Sequence, residues 1–174
     1  MKNLAYIIIA IIVSVMSVSC TNNKQIVEVA EKYVSEQICP LLPNASISAY
    51  SPFPMPVDPI NKVKGKLNQM HLTTAKEKSL LDSKQLDAAS RIQSLSEFKN
   101  RIIVHRLIRS DIDALKKANA EQGFYVVWVN IKYDNDKYES FDIVVSKDLE
   151  VLNAPIDMSE VNESVGQMKE NYLE

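Results

Sequence analysis

The chain has 174 residues, of which 46% are hydrophobic and 24% charged, with a formal net charge of -2. Such a composition is typical of globular proteins, and the length is sufficient for one hydrophobic core. The balanced charge excludes a nucleic-acid partner, because phosphate binding needs a clustered basic excess. With three glycines, two histidines and two cysteines, phosphate-cradling loops and zinc-finger spacings are also excluded, and we predict no cofactor and no metal site.

The first 19 residues have the three-part pattern of a secretory signal peptide. One cation, Lys2, precedes an almost unbroken apolar run from Leu4 to Val18. The run has about 15 residues, fewer than the roughly 20 that a helix needs to cross a bilayer. A removable signal therefore explains residues 1–19 better than a permanent membrane span.

The residues around Cys20 indicate what kind of signal this is. Ser17, Val18 and Ser19 precede Cys20, and polar residues follow it. This pattern resembles the lipobox of bacterial lipoproteins, although Ser17 stands where Leu is commonest. The resemblance implies that Cys20 is acylated, for example with palmitate, after which residues 1–19 are removed.

The predicted anchor also indicates where the protein is located in the cell and how the chain is divided into domains. We expect residues 20–23 to form a short tether and residues 24–174 to form one domain in the bacterial cell envelope. A lipid would hold this domain at the outer membrane or at the periplasm-facing inner membrane. An ordinary cleaved signal, with Cys20 incidental, is the alternative.

The segment after the tether has the spacing of an amphipathic helix. It ends at Cys39-Pro40, because proline disfavours helix in the preceding residue. Its polar face is acidic, which favours packing on the protein's own sheet over a membrane surface. We interpret Cys39 as a small core residue without a disulfide partner. The apolar stripe comprises Ile26, Val29, Ala30, Tyr33, Val34 and Ile38.

Six of the seven prolines lie between residues 40 and 59. A short strand is predicted around Ile47–Ser51, followed by an edge strand or a stiff connector, because proline cannot donate to a strand ladder. Tyr50, Phe53 and Met55 would suit a peptide-binding surface if they are exposed. The interpretation that we favour is a stiff connector whose aromatic side chains cover the core.

Residues 61–99 contain no proline and predict two helices, which would form an antiparallel hairpin. One apolar stripe comprises Val63, Leu67, Met70 and Thr74, and the other comprises Leu86, Ala89, Ile92 and Leu95. Asp82-Ser83 is the predicted N-cap of the second helix.

Residues 101–110 fit either a strand or a helix. The β-branched start, Ile102 to Val104, favours a strand, and residues 111–122 would then form a helical turn or a loop. On that strand His105 and Arg109 would project together, about 13 Å apart. With Arg106 they form a candidate anion-binding site, for which ion pairs with Asp142 or Glu139 are the alternative.

Residues 124–133 and 138–146 predict two strands, because apolar residues recur at every second position in each segment. If their apolar faces coincide, Val129 opposes Ile143 and Ile131 opposes Phe141, with an odd-length loop around residues 135–137. Residues 161–172 have the spacing of a short closing helix.

The element order predicts an α+β fold, in which an N-terminal helix and a helical hairpin pack on an antiparallel sheet of three or four strands. In this order alone it is similar to cystatin-like and NTF2-like domains. We expect a non-enzymatic, lipid-anchored binding module whose ligand is a protein or a small molecule, with no catalytic residue. One alternative is a small ligand-pocket or hydrolase-like domain that uses His105 and Arg109. Another is an inhibitor or immunity-type protein with an exposed apolar patch around Tyr50 and Phe53.

Overall fold

A computed structural model describes residues 22–81, 88–118 and 124–173 and has the predicted α+β fold. The predicted signal peptide, Cys20, the predicted N-cap Asp82-Ser83 and Leu86 of the predicted second stripe lie outside these residues. The helices are α1 (22–33), α2 (Pro59–Leu81), α3 (Ala88–Lys117) and α4 (Met158–Leu173). The strands are β1 (Ser46–Tyr50), β2 (Met55–Pro56), β3 (Tyr125–Tyr133) and β4 (Lys137–Val145).

The sheet is antiparallel and is built on β3. One edge of β3 pairs with β4, and the other pairs with β1 and then β2. β1 and β2 are two parts of one edge strand, interrupted at residues 51–54, where Pro52 and Pro54 cannot donate to the ladder. Ser51 maintains the alignment, because its backbone N–H donates to the Trp128 carbonyl at 2.8 Å. The predicted proline-rich edge is therefore confirmed.

The hairpin between β3 and β4 has the predicted odd-length loop but a different register. Val129 pairs with Phe141 and Val127 with Ile143, each shifted by two residues from the expected partner. The turn occupies residues 134–136, since Asp134 and Asn135 adopt positive φ values of 47° and 67° and close it one residue early. A shift of two residues keeps every side chain on its predicted face.

Helix α1 confirms the predicted apolar stripe. Ile26, Ala30 and Val34 are buried against the sheet face that carries Val129 and Phe141. Residues 22 and 23, expected in the tether, already belong to α1. The helix continues through a π-helical turn, Val34–Ile38, and a 3-10 turn, Cys39–Leu41, as far as the predicted proline break.

Helix α3 corrects the prediction for residues 101–110, which are helical and not a strand. Residues 111–117, expected in a loop or a helical turn, continue the same helix. The β-branched run is accommodated because α3 contacts α2, α4 and β4, so a wide part of its circumference is buried. Burial from several sides overrides the modest preference of Ile and Val for strands.

The helical hairpin is confirmed, because Lys66 near the start of α2 contacts Asp111 near the end of α3, which requires antiparallel helices. The stripe predicted for α2 is rotated, however. Leu67 is 37% exposed, whereas Lys66 and Thr73 are buried. The face of α2 toward the rest of the protein is therefore partly polar.

Candidate functional site

The most buried polar cluster lies along the edge of β4 that faces away from β3. Lys66, Asp111, Asp142 and Asn153 are each no more than 5% exposed. They come from α2, α3, β4 and the segment before α4, so only the folded chain brings them together.

These side chains pair with the backbone of β4 from Ser140 to Val144, whereas the backbone around Val151 pairs with the end of the strand. The Asp142 N–H donates to Asp111 Oδ2 at 3.0 Å, and the Val144 N–H donates to Asn153 Oδ1 at 2.8 Å. Asn153 Nδ2 donates to the Asp142 carbonyl, and Lys66 Nζ donates to the Ser140 carbonyl. A buried sheet edge with unpaired N–H and C=O groups would be costly. The cluster removes that cost.

Lys66 has no free donor left within this cluster. Its ammonium group lies 2.8 Å from Asp111 Oδ2, 2.9 Å from the Ser140 carbonyl and 3.2 Å from Gln69 Oε1. An ammonium group has three donors, and three acceptors occupy them. Lys66 is therefore held as a structural cation and is not poised to attack a substrate.

Asp111 is the group in this cluster whose protonation is most perturbed. Burial raises the pKa of Asp111 to about 6, against the opposing attraction of Lys66. Tyr33 lies nearby and donates its hydroxyl to the Asn153 carbonyl at 3.1 Å. Burial and the Asp111 charge raise the pKa of Tyr33 to about 12, so its hydroxyl stays neutral.

A cleft of about 430 Å³ opens beside the cluster, between α2 and the sheet. Lys62 lies at this cleft and forms an ion pair with Asp142 at 3.1 Å. Trp128 and Gln69 also line it. At this cleft Lys62 and Lys66 are both paired with aspartates, and Asp58 accepts a hydrogen bond from Asn61.

The three basic residues predicted to bind an anion do meet, in a different geometry from the one expected. His105, Arg106 and Arg109 line a groove of about 360 Å³, together with Phe98 and Ile102. Because they lie on a helix, His105 and Arg109 are one turn apart, a rise of about 6 Å. Ser164 of α4 forms the facing side.

The ion pairs of this groove differ from the predicted alternatives. Arg106 contacts Glu160 of α4 at 2.6 Å. Arg109 has only a loose contact of 3.9 Å with Asp113, and its side chain is 65% exposed. Asp142 and Glu139, the expected partners, pair elsewhere: Asp142 with Lys62 and Lys66, and Glu139 with Arg101.

The other two candidate binding residues lie at a separate place. Tyr50 and Phe53 line a shallow groove next to the first turns of α1, where Asn23 and Lys24 also contribute. Phe53 is 71% exposed and Tyr50 is 40% exposed. The interpretation that these aromatics cover the core is therefore wrong.

No sequence pattern predicted that Lys66, Asp111, Asp142 and Asn153 are buried together. A lysine in a polar helix and aspartates in a helix and a strand are normally exposed. Asp142 stands out only because it lies beside the continuous apolar run Ile143–Val145, in which Val144 shares its face, and such a run indicates burial on both faces. Lys66 and Asn153 carry no comparable signal, because their partners are distant in the chain.

Comparisons with known proteins found no matching family model, no matching curated protein and no matching solved structure. Among the described residues, no group of three or more His, Cys, Asp or Glu side chains is arranged to hold a metal ion. No helix in the described ranges is long and apolar enough to cross a membrane.

We predict that Lys66→Met destabilises the protein far more than Lys62→Met. Losing Lys66 leaves the Asp111 charge buried without its cation, which costs about 3–5 kcal/mol. Lys62 is partly exposed, and losing its pair costs about 0–1 kcal/mol. Chemical denaturation at pH 7 measures both free energies of unfolding. Equal losses would contradict the structural role assigned to Lys66, because both lysines contact Asp142.

The raised pKa of Asp111 predicts a specific pH dependence of stability. Between about pH 4 and pH 6 the folded protein holds a proton on Asp111 that the unfolded chain releases. The stability from this group is therefore complete below about pH 4 and is lost as the pH rises through 6, with a slope of at most about 1.4 kcal/mol per pH unit.

Asp111→Asn should remove this component. The measurement is the free energy of unfolding of both proteins from pH 4 to pH 7, because their difference cancels the other carboxylates. A difference that does not change with pH would show that Asp111 titrates normally.

Proposed function

We propose that the protein is a lipid-anchored binding module of the bacterial cell envelope and that it binds anionic groups in the groove between α3 and α4. The observation that carries this proposal is the groove itself, in which His105, Arg106 and Arg109 meet beside the apolar side chains of Phe98 and Ile102. The anchor is Cys20.

The anchor is supported by the residues before and after Cys20. An apolar run, small residues and a cysteine followed by polar residues match the signal of bacterial lipoproteins. Several acyl chains on one residue hold a protein at a membrane much more firmly than one chain does. The described part of the chain begins only two residues later, already as helix.

The groove supports a ligand that has both an acidic and an apolar part. Arg109 is exposed and only loosely paired, so its guanidinium can take a carboxylate in a bidentate contact. Phe98 and Ile102 are almost fully buried, at 6% and 7% exposure, and they form an apolar floor. Arg106 also lines the groove, and its guanidinium is paired with Glu160 at 2.6 Å.

Binding is favoured over catalysis by the state of the reactive groups. Lys66 is surrounded by three acceptors, and burial raises the pKa of the Cys39 thiol. A nucleophilic cysteine needs the opposite shift, toward the thiolate. The geometry therefore supports recognition more than the formation of a covalent intermediate.

Cys20→Ala tests the anchor. We expect the wild-type chain in the membrane fraction of the producing bacterium and the variant in the soluble fraction, because the acylated thiol is lost. Cys39→Ala is the matched control and should leave the protein in the membrane fraction. A Cys20→Ala variant that remains membrane-bound would refute the anchor.

Arg109→Gln tests the groove, with benzoate as a probe that carries one carboxylate and one apolar ring. We expect the substitution to weaken benzoate binding about tenfold, since a charge-assisted hydrogen bond is worth about 1.5–3 kcal/mol. Lys116→Gln, which removes an exposed cation from the same helix, should leave it unchanged. Isothermal titration measures the affinity.

Benzamide has the same ring without the charge. Equal affinity of the wild-type protein for benzoate and benzamide would show that the groove does not select anions.

A further inference from the structure

Three exposed apolar side chains lie within six residues at the edge of the sheet. Tyr50, Phe53 and Met55 are 40%, 71% and 44% exposed, and we call them the edge patch. They belong to the interrupted edge strand, where the prolines stop the ladder. Large apolar side chains grouped on a surface mark a contact with something apolar.

The edge patch lies beside the point where the described chain begins. Tyr50 and Phe53 share a groove with Asn23 and Lys24, in the first turn of α1. Glu31 of α1 lines the same groove, and its carboxylate raises the pKa of Tyr50. Tyr50 is also paired with Val129 in the sheet, so the patch lies on the sheet edge next to the start of α1.

The distance from Cys20 to this place is short. Asn22 is two positions after Cys20, and a chain spans at most about 3.6 Å per residue, or about 7 Å over these two steps. If Cys20 carries acyl chains, the start of α1 lies within that distance of the bilayer surface. This step rests on the proposed anchor. The side of the protein that holds Asn23, Tyr50 and Phe53 then faces the lipid.

We propose that the edge patch docks onto the lipid bilayer and fixes the orientation of the anchored domain. Aromatic residues favour the membrane interface, and Phe in particular is common on the buried side of interfacial elements. Lys24 at this site is paired with Glu28 at 3.6 Å, and Glu31 adds a further negative charge. Zwitterionic lipid is therefore the expected surface, and anionic lipid is not required.

The test uses the full lipidated protein in vesicles of brominated phosphatidylcholine, which quench tryptophan in contact with the acyl region. Trp128→Phe removes the native fluorophore. Phe53→Trp then reports on the edge patch, and Leu72→Trp reports on α2, where Leu72 is 67% exposed. Circular dichroism confirms that both variants fold, and flotation confirms that they are attached to the vesicles.

The expected result is that both variants float and only the fluorescence of the tryptophan at position 53 is quenched. Flotation without quenching at position 53 would overturn the docking and assign the patch to a protein partner or a second copy. Equal quenching at both positions would overturn a fixed orientation. If neither variant floats, the proposed anchor fails, and the docking fails with it.

Discussion

The structure depends on how the outer edge of β4 is paired. A strand edge covered by helices has backbone N–H and C=O groups that water cannot reach, and each needs a partner. Asp111 and Asn153 accept from the N–H groups of β4, while Asn153 and Lys66 donate to its carbonyls. Side chains thus replace a further strand along most of this edge, and the backbone around Val151 pairs with its end. Lys66 and Asp111 also neutralise each other at 2.8 Å, so two charges are buried together rather than separately.

This pairing also sets the positions of the helices. Lys66 belongs to α2 and Asp111 to α3, so their contact fixes both helices against the same strand edge. Once α3 is held there, its remaining surface is available for α4, and the groove of His105, Arg106 and Arg109 forms at that junction. The buried cluster thus positions the candidate binding groove without lining it. The residues that stabilise the fold here are therefore different from the residues proposed to bind a ligand.

The proposed binding and membrane surfaces belong to different parts of the fold. The groove is built from α3 and α4, whereas the edge patch lies on the interrupted edge strand next to α1. The proline-rich segment thereby has two roles: it interrupts the pairing at one edge of the sheet, and it exposes aromatic side chains close to the residue predicted to carry lipid. A domain held at two points would present its groove at a constant angle to the membrane.

The sequence by itself determined α1, β3, β4 and α4, because the apolar residues of each element repeat with a single period, helical or extended. The odd number of residues in the loop between β3 and β4 was also predictable, although the turn at Asp134 shifted the strand register by two residues. The tertiary structure alone decided that 101–110 is helical, since the run from Ile102 to Val104 satisfies either period and burial from several sides selects the helix. It alone decided the burial of Lys66, because the acceptors that make a buried cation stable come from distant segments.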